Sequence, residues 1–222
     1  MALPVNSDSV DLDTVLADWL GSKGESPLQS VVVLGPDPFG AAHERQVLAV
    51  RPQAMAMAAR TLAASEDYGA SWRESGAPLA AWQSLARLDD AAPTSWRAHW
   101  IAHGFHSVVR VELPLPAGRA FECFMFTHRE LTDRGEAAQL VWSALNVWPL
   151  LQRAIALQRS TLSPRERECL VLAFQGLTAR ESAQQLHCTE RTVNYHLANA
   201  MAKLKVDNKL AAIQRACWLG VI

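Results

Sequence analysis

The chain has 222 residues, half of them apolar, a formal charge of -1 and four cysteines. That length can bury a real core in one large or two small domains. The scattered Cys123, Cys169, Cys188 and Cys217 form no Cys-x-x-Cys pair, which excludes a disulfide framework and suits a reducing cytoplasm. The start of the chain has neither a basic run nor an apolar one, so no secretory signal is expected. The most apolar stretch, 137–157, is interrupted by Gln139, Ser143, Asn146, Pro149, Gln152 and Arg153, so no membrane span is expected either. A soluble cytoplasmic protein is the expectation. The net charge hides an asymmetry: residues 161–222 carry 8 Lys and Arg against 5 Asp and Glu, and residues 1–160 carry 13 against 17. Lys203, Lys205 and Lys209 cluster in the basic part, a modest footprint for a polyanionic partner.

In chain order, residues 1–8 are expected to be disordered. Leu12 to Leu20 reads as a short helix, with Leu12, Val15, Leu16 and Trp19 at helical spacing. The runs Ser30–Leu34 and Gln46–Val50 flank the turn-rich Gly35-Pro36-Asp37-Pro38-Phe39-Gly40 and read as an antiparallel strand pair. Ala54–Ala64 is helix-forming. Tyr68–Trp100 shows no regular period. Ser107–Leu113 and Ala120–Phe126 form the clearest hairpin, with its turn at Pro114–Gly118. A long helix is predicted from Thr132 to Gln158; it is apolar nearly all round, as for packing on a sheet and on a partner helix, and Pro149 marks a kink. This order resembles a small α/β sensor of the GAF or PAS sort: an antiparallel sheet flanked by helices, over residues 1–158.

Residues 159–222 read as a separate all-α unit of four helices. Ser163, Pro164 and Glu166 make a capping box with proline in the first turn, and the helix they open stops at Gly176. Thr178 and Glu181 repeat the device for a second helix, through Leu186. Thr189 caps a third, Glu190 to about Leu204, and Leu210–Leu219 supplies a fourth. The expected core is Leu170, Ala173 and Phe174 on the first helix, Ala183 and Leu186 on the second, and Val193, Leu197, Ala200 and Leu204 on the third. The small Ala183 lets the second and third helices approach. Arg191, Thr192, Asn194, Tyr195, Ala198, Asn199 and Lys203 then fall on or near the outer face of the third helix, a face able to enter a major groove.

The run Leu162-Ser163-Pro164-Arg165-Glu166-Arg167-Glu168, then Gly176-Leu177-Thr178, Glu181-x-Ala183, Thr189-Glu190-Arg191-Thr192-Val193-x-x-His196, Lys203-Leu204 and Asn208 resembles the LuxR-type helix-turn-helix DNA-binding domain. Ser182 departs from it, standing where that family has an aliphatic residue. The resemblance implies that the third helix reads DNA, with Asn194, Tyr195 and Ala198 at base edges and Thr178, Arg191, Thr192 and Lys203 at phosphates. His196 is either packed against the inward face or a base reader. Leu210, Ile213, Cys217 and Leu219 either make dimer contacts or complete the core. The resemblance also implies double-stranded DNA as partner, a homodimer, a small-molecule effector and contact with RNA polymerase.

A receiver front half is excluded because Lys23 is the only lysine before Gln158, and a nucleotide-binding one because no glycine-rich phosphate loop with a lysine is present. The Trp-x-x-x-Tyr pattern of acyl-homoserine-lactone binders is absent upstream of Asp37-Pro38, whereas Gly104-Phe105 before the hairpin is similar to that family. Tyr68, Trp72, Trp82, Trp96 and Trp100 either line a ligand pocket or form an aromatic core. His99 and His103 have a metal-ligand spacing, with His106 nearby, but no cysteine or carboxylate stands in register, so surface or structural histidines are the reading adopted. No catalytic constellation, cofactor fingerprint or metal site is expected.

Overall fold

The computed structural model describes residues 11–21, 27–36, 45–65, 67–68, 76, 78–86, 95–115, 119–159, 161–218 and 220–222. The expectations for residues 1–8, Lys23, 37–40, Trp72, the tip of the hairpin turn and Leu219 lie outside them. The chain divides into two compact units, 1–155 and 156–222.

In the first unit the strands β1 (Ser30–Pro36), β2 (Arg45–Arg51), β3 (Ala80–Ser84), β4 (Ser107–Leu115) and β5 (Arg119–Thr127) form one antiparallel sheet in the order β2-β1-β5-β4-β3. Helices α1 (Leu12–Gly21) and α4 (Arg134–Arg159) bring Leu12, Leu16, Trp19, Leu140, Ala144 and Leu151 to one face, against Val31, Val33, Val109, Val111, Cys123 and Met125. The Trp19 indole N–H donates to Ser143 Oγ at 2.6 Å and ties the two helices. On the other face, α2 (Ala56–Ala63) and α3 (Ser95–Ala102) pack Ala59, Leu62, Trp96 and Trp100 on Val32, Leu34, Val108, Phe124 and Phe126. The period of two along each strand sends alternate residues into the two cores.

Covering both faces changes how the alternation in β4 must be read. Its Arg110 alternates with valines as a solvent-facing residue would, yet it is buried, because α2 and α3 close that face. Gly35 and Pro36 extend β1 instead of opening the turn. Val33 pairs with Ala49 and Leu34 with Val47, so Leu48 is the extra residue of a bulge. The bulge lays Leu48 against Gly35, and a Cβ on Gly35 would meet the Leu48 side chain and the Phe121 ring, the latter at 2.8 Å. Pro114 likewise lies in the ladder, opposite Ala120. Strand β3 carries no apolar β-branched residue; it forms by pairing with β4.

Helix α4 starts where Asp133 Oδ1 accepts the Glu136 N–H, and it continues through Pro149. Residues Arg134–Gln158 are long and apolar enough, by length and composition, to cross a membrane. The core helix of a folded domain passes the same test, and Leu140, Ala144 and Leu151 of α4 are buried against the sheet. Trp142, Leu145 and Leu150 remain exposed on its other side, Trp142 by 67%.

The second unit contains α5 (Pro164–Phe174), α6 (Ala179–Gln185), α7 (Glu190–Lys203) and α8 (Lys209–Trp218). Its core unites Leu162, Cys169, Leu170, Ala173, Ala183, Val193, Leu197, Ala200 and Leu204 with Ala212 and Ala216. Phe174 corrects the expected core: it is 63% exposed at the last turn of α5, and Cys169 joins Leu170 and Ala173 on the inward side of that helix. On α8 the small Ala212 and Ala216 face inward and Leu210 is exposed; Ile213 packs at the core margin.

Replacing Gly35 with alanine overpacks the bulge. Gly35→Ala is expected to destabilise the first unit by about 1–3 kcal/mol, the usual cost of inserting a methyl into a filled core. A thermal melt of the variant beside the parent checks this.

Candidate functional site

The capping chemistry that reads so clearly in the sequence fixes where α7 sits. Ser163 Oγ accepts the Glu166 N–H while Glu166 accepts the Ser163 N–H at 2.7 Å. Thr178 and Glu181 repeat this, with the Thr178 N–H to carboxylate bond at 2.8 Å. Those two contacts, the Thr178 N–H first and its hydroxyl next, hold the Glu181 carboxyl below the ordinary glutamate range. Thr189 Oγ accepts the Thr192 N–H and pairs with the Thr192 hydroxyl at 2.8 Å. At the other ends, Gly176, His187 and Lys205 adopt positive φ. There the Leu177, Cys188 and Val206 N–H groups close back onto Leu172, Ala183 and Met201 carbonyls. Arg215 of α8 donates to the Leu204 carbonyl at 2.9 Å and so covers the C-terminus of α7. Each terminus is occupied, so the turn from α6 to α7 has little freedom.

With Val193, Leu197 and Ala200 buried, α7 presents Arg191, Asn194, Tyr195 and Ala198 to solvent, Tyr195 by 62%, and Thr192 and Asn199 at its margins. His196 is half-buried, with its ring 5.6 Å from that of Tyr195. Ser182 is buried within α6 beside Ala183. Seven of the residues expected to meet DNA therefore line one helix from Arg191 to Lys203, and Thr178 stands at the start of α6 with its hydroxyl donating to Glu181.

Lys203 makes a contact that helical spacing does not reveal. Its Nζ donates to both Glu166 oxygens, at 2.9 and 2.8 Å, tying the last turn of α7 to the first turn of α5. Glu166 is therefore shared between a capping box and an ion pair. Burial pushes its carboxyl up, but the Lys203 ammonium and the Ser163 N–H outweigh burial and hold it below the ordinary value.

In the first unit the structure brings Tyr68, Trp96 and Trp100 together on the α2/α3 face. Tyr68 stands edge-on to Phe124 at 5.6 Å, and Trp100 stacks flat on Phe126 at 3.5 Å. Trp82, opposite Val109, belongs to the other face, where it lines a shallow groove of about 200 Å³ with Val141 and Trp142. The ion cluster below the aromatic layer has no counterpart in the sequence reading. Glu122 accepts from Arg110 at 2.7 Å and from Arg45 at 3.1 Å, Glu112 is a further partner of Arg110, and the Arg110 guanidinium lies 5.3 Å from the Tyr68 ring centre. Arg45 also donates to the Leu62, Ser65 and Asp67 carbonyls, and the Trp96 indole to Asp67 at 2.6 Å. Arg110 lies diagonally from Glu122 across β4 and β5, since Arg110 stands opposite Phe124 and Glu112 opposite Glu122; polar residues alternating with apolar ones in both strands were the available signal. His103 Nδ1 donates to the His99 carbonyl at 2.7 Å, and among the described residues no three His, Cys, Asp or Glu side chains are grouped as a metal requires.

Because the folded Glu166 pKa is lowered, its stabilising contribution is present above the unfolded glutamate pKa and is lost as pH falls through the folded one. Glu166→Gln is expected to cost roughly 1–2 kcal/mol at neutral pH, the lower range for a charged hydrogen bond, since the Lys203 side chain is 38% exposed. Urea melts at falling pH should then show a smaller acid loss in the variant than in the parent.

Comparison with known proteins places this geometry. Residues 160–216 match the family model described as bacterial regulatory proteins, luxR family. AnoR of Acinetobacter nosocomialis, a transcriptional activator protein, is 49% identical over 61 residues, 28% of this chain and 26% of that one. SolR of Ralstonia solanacearum, also a transcriptional activator protein, is 33% identical over 131 residues, 59% of this chain and 52% of that one. The chain thus spans a quarter to about half the length of these relatives. A solved structure of Escherichia coli SdiA aligns over 95% of this chain and 92% of its own, at 21% identity and a TM-score of 0.48. By that match, residues 160–216 are similar to the domain of the luxR family of bacterial regulatory proteins.

Proposed function

We propose that this protein is a sequence-specific DNA-binding transcription regulator, with α7 entering the major groove, and not an enzyme. The observation that carries the reading is the outer face of α7 within a luxR-family domain: hydrogen-bonding and basic side chains held outward by a core and by caps at both ends. Asn194 is placed to pair with adenine, Ala198 to touch a thymine methyl, and Arg191 and Thr192 to grip phosphates. Residues 159–222 act as the DNA-binding domain and residues 1–158 as a sensor and dimerisation domain whose small ligand modulates DNA binding. The exposed Trp142, Leu145 and Leu150 of α4 supply an apolar stripe for a second copy. In this reading the protein works in the cytoplasm and meets RNA polymerase at its promoters. A ligand-independent assembly role for the first domain is the second reading, favoured by the complete burial of Trp96 and Trp100 in the core. Mass spectrometry of the intact protein purified from its host separates the two: a retained small molecule favours a sensor.

Selection from a random duplex library tests DNA reading. The parent is expected to enrich a two-half-site motif. Asn194→Ala should relax preference at one position per half-site, by an amount equivalent to about 1–3 kcal/mol, and Arg191→Ala should weaken all sequences and lower the salt slope by about one. No enrichment by the parent overturns the proposal; equal loss on every sequence with Asn194→Ala overturns the assignment of that residue to base reading.

A further inference from the structure

The groove of about 200 Å³ beside Trp82 lies at the edge of the first unit's sheet, on the face that α4 covers and opposite to the one that carries Trp96 and Trp100. Strand β3 contributes Ala80 and Trp82 to it, and the first turns of α4 contribute Arg134, Ala138, Val141 and Trp142. On α4 those four residues recur at the spacing of a single helical face. The small Ala80 and Ala138 leave open the space beside the two indoles. Trp82 is 38% exposed and Trp142 67%, and large apolar side chains gathered in one exposed patch mark a binding surface where scattered ones do not. Among the described residues neither ring stacks on another, and Arg134 has no acidic partner. The acids beside it are engaged elsewhere: Glu136 pairs with Arg129, and Asp133 caps α4.

The chemistry of the occupant follows from this lining. Two indoles alone would suit a cation, but Arg134 is the one charged side chain among the described residues that line the groove, and it repels one. A polyanion is excluded in turn, because the rest of the lining is apolar and offers a single counter-charge. The volume lies below the roughly 300 Å³ at which pockets for drug-sized ligands begin, so the groove takes one or two rings and not a long chain. We propose that it binds a small, free aromatic monocarboxylate, whose ring lies against Trp82 and Trp142 and whose carboxylate accepts from Arg134. This site is separate from the aromatic layer under α2 and α3 and does not rest on the sensor reading. Trp142 also belongs to the stripe proposed above for a second copy, so the experiment has to tell the two occupants apart.

Two matched sets of probes test it: indole-3-acetate, indole-3-acetamide and tryptamine, and phenylacetate, phenylacetamide and phenethylamine. Each is titrated by calorimetry into the full-length parent, into Arg134→Gln, which removes the charge, and into Ala138→Leu, which fills the groove. Arg134 and Ala138 are both exposed, so neither substitution disturbs the core, and thermal melts verify that the variants fold. Each carboxylate is expected to bind the parent about fivefold more tightly than its amide, the upper value for an exposed ion pair, with the amine weakest. Added salt should shrink that preference. Arg134→Gln should abolish the preference and leave the amide affinity unchanged, and Ala138→Leu should weaken carboxylate and amide alike by roughly tenfold or more. Equal binding of carboxylate and amide by the parent, a preference retained in Arg134→Gln, or affinities unmoved by Ala138→Leu overturns the inference. A parent that binds none of the six overturns it too, and in that case a loss of dimer on sedimentation of Ala138→Leu assigns the groove to a second copy.

Discussion

The Glu122 carboxylate is shut away from water between the guanidinium groups of Arg110 and Arg45, and much of the first unit is arranged around that fact. A charge buried there without partners would cost several kcal/mol, so both arginines must be delivered to it. Arg110 comes from the neighbouring strand. Arg45 comes from the far edge strand, and its other terminal nitrogen takes carbonyls in the last turn of α2 and just after it. The same residues therefore fix the chain around Asp67 and Tyr68, from which the Trp96 indole and the aromatic layer are oriented. Electrostatic pairing, in this sheet, decides where the rings lie.

The second unit is governed by the ends of its helices. Short helices gain little from propensity alone and depend on packing and caps. Two capping boxes, a threonine cap, left-handed residues at the C-terminal turns and Arg215 occupy those ends. Glu166 carries two of these duties together, since the carboxylate that closes the α5 cap also holds Lys203. The outward set of side chains on α7 is thus specified by what lies behind it and at its termini, which is what the DNA-reading role proposed for it requires.

Sequence alone determined the helices and caps of the second unit and much of the first. Helix caps are local chemistry: Ser163, Thr178 and Thr189 act on backbone groups three residues away, so their message survives in a linear string. The three-and-four spacing of Val193, Leu197 and Ala200 names the buried face of α7 and, by exclusion, Asn194 and Tyr195 on the other. The strands of the first unit are legible for the same reason, through runs of Val, Leu and Phe between turn residues.

What only the tertiary structure decided are matters of long-range approach. Whether Arg110 faces water or a second helical layer depends on α2 and α3 covering the sheet, and period two cannot report which faces are covered. Phe174 is apolar and at helical spacing, yet it stays exposed while its neighbour Ala173 takes the place in the core. Gly35 belongs to a strand because a bulge at Leu48 fills the space beside it. Trp82 and Trp100 separate onto opposite faces because β3 pairs with β4 in the one register that sets Trp82 beside Val109. Lys203 meets Glu166 across 37 positions of chain, a pairing no local pattern encodes, because it exists only once packing has brought α5 and α7 together.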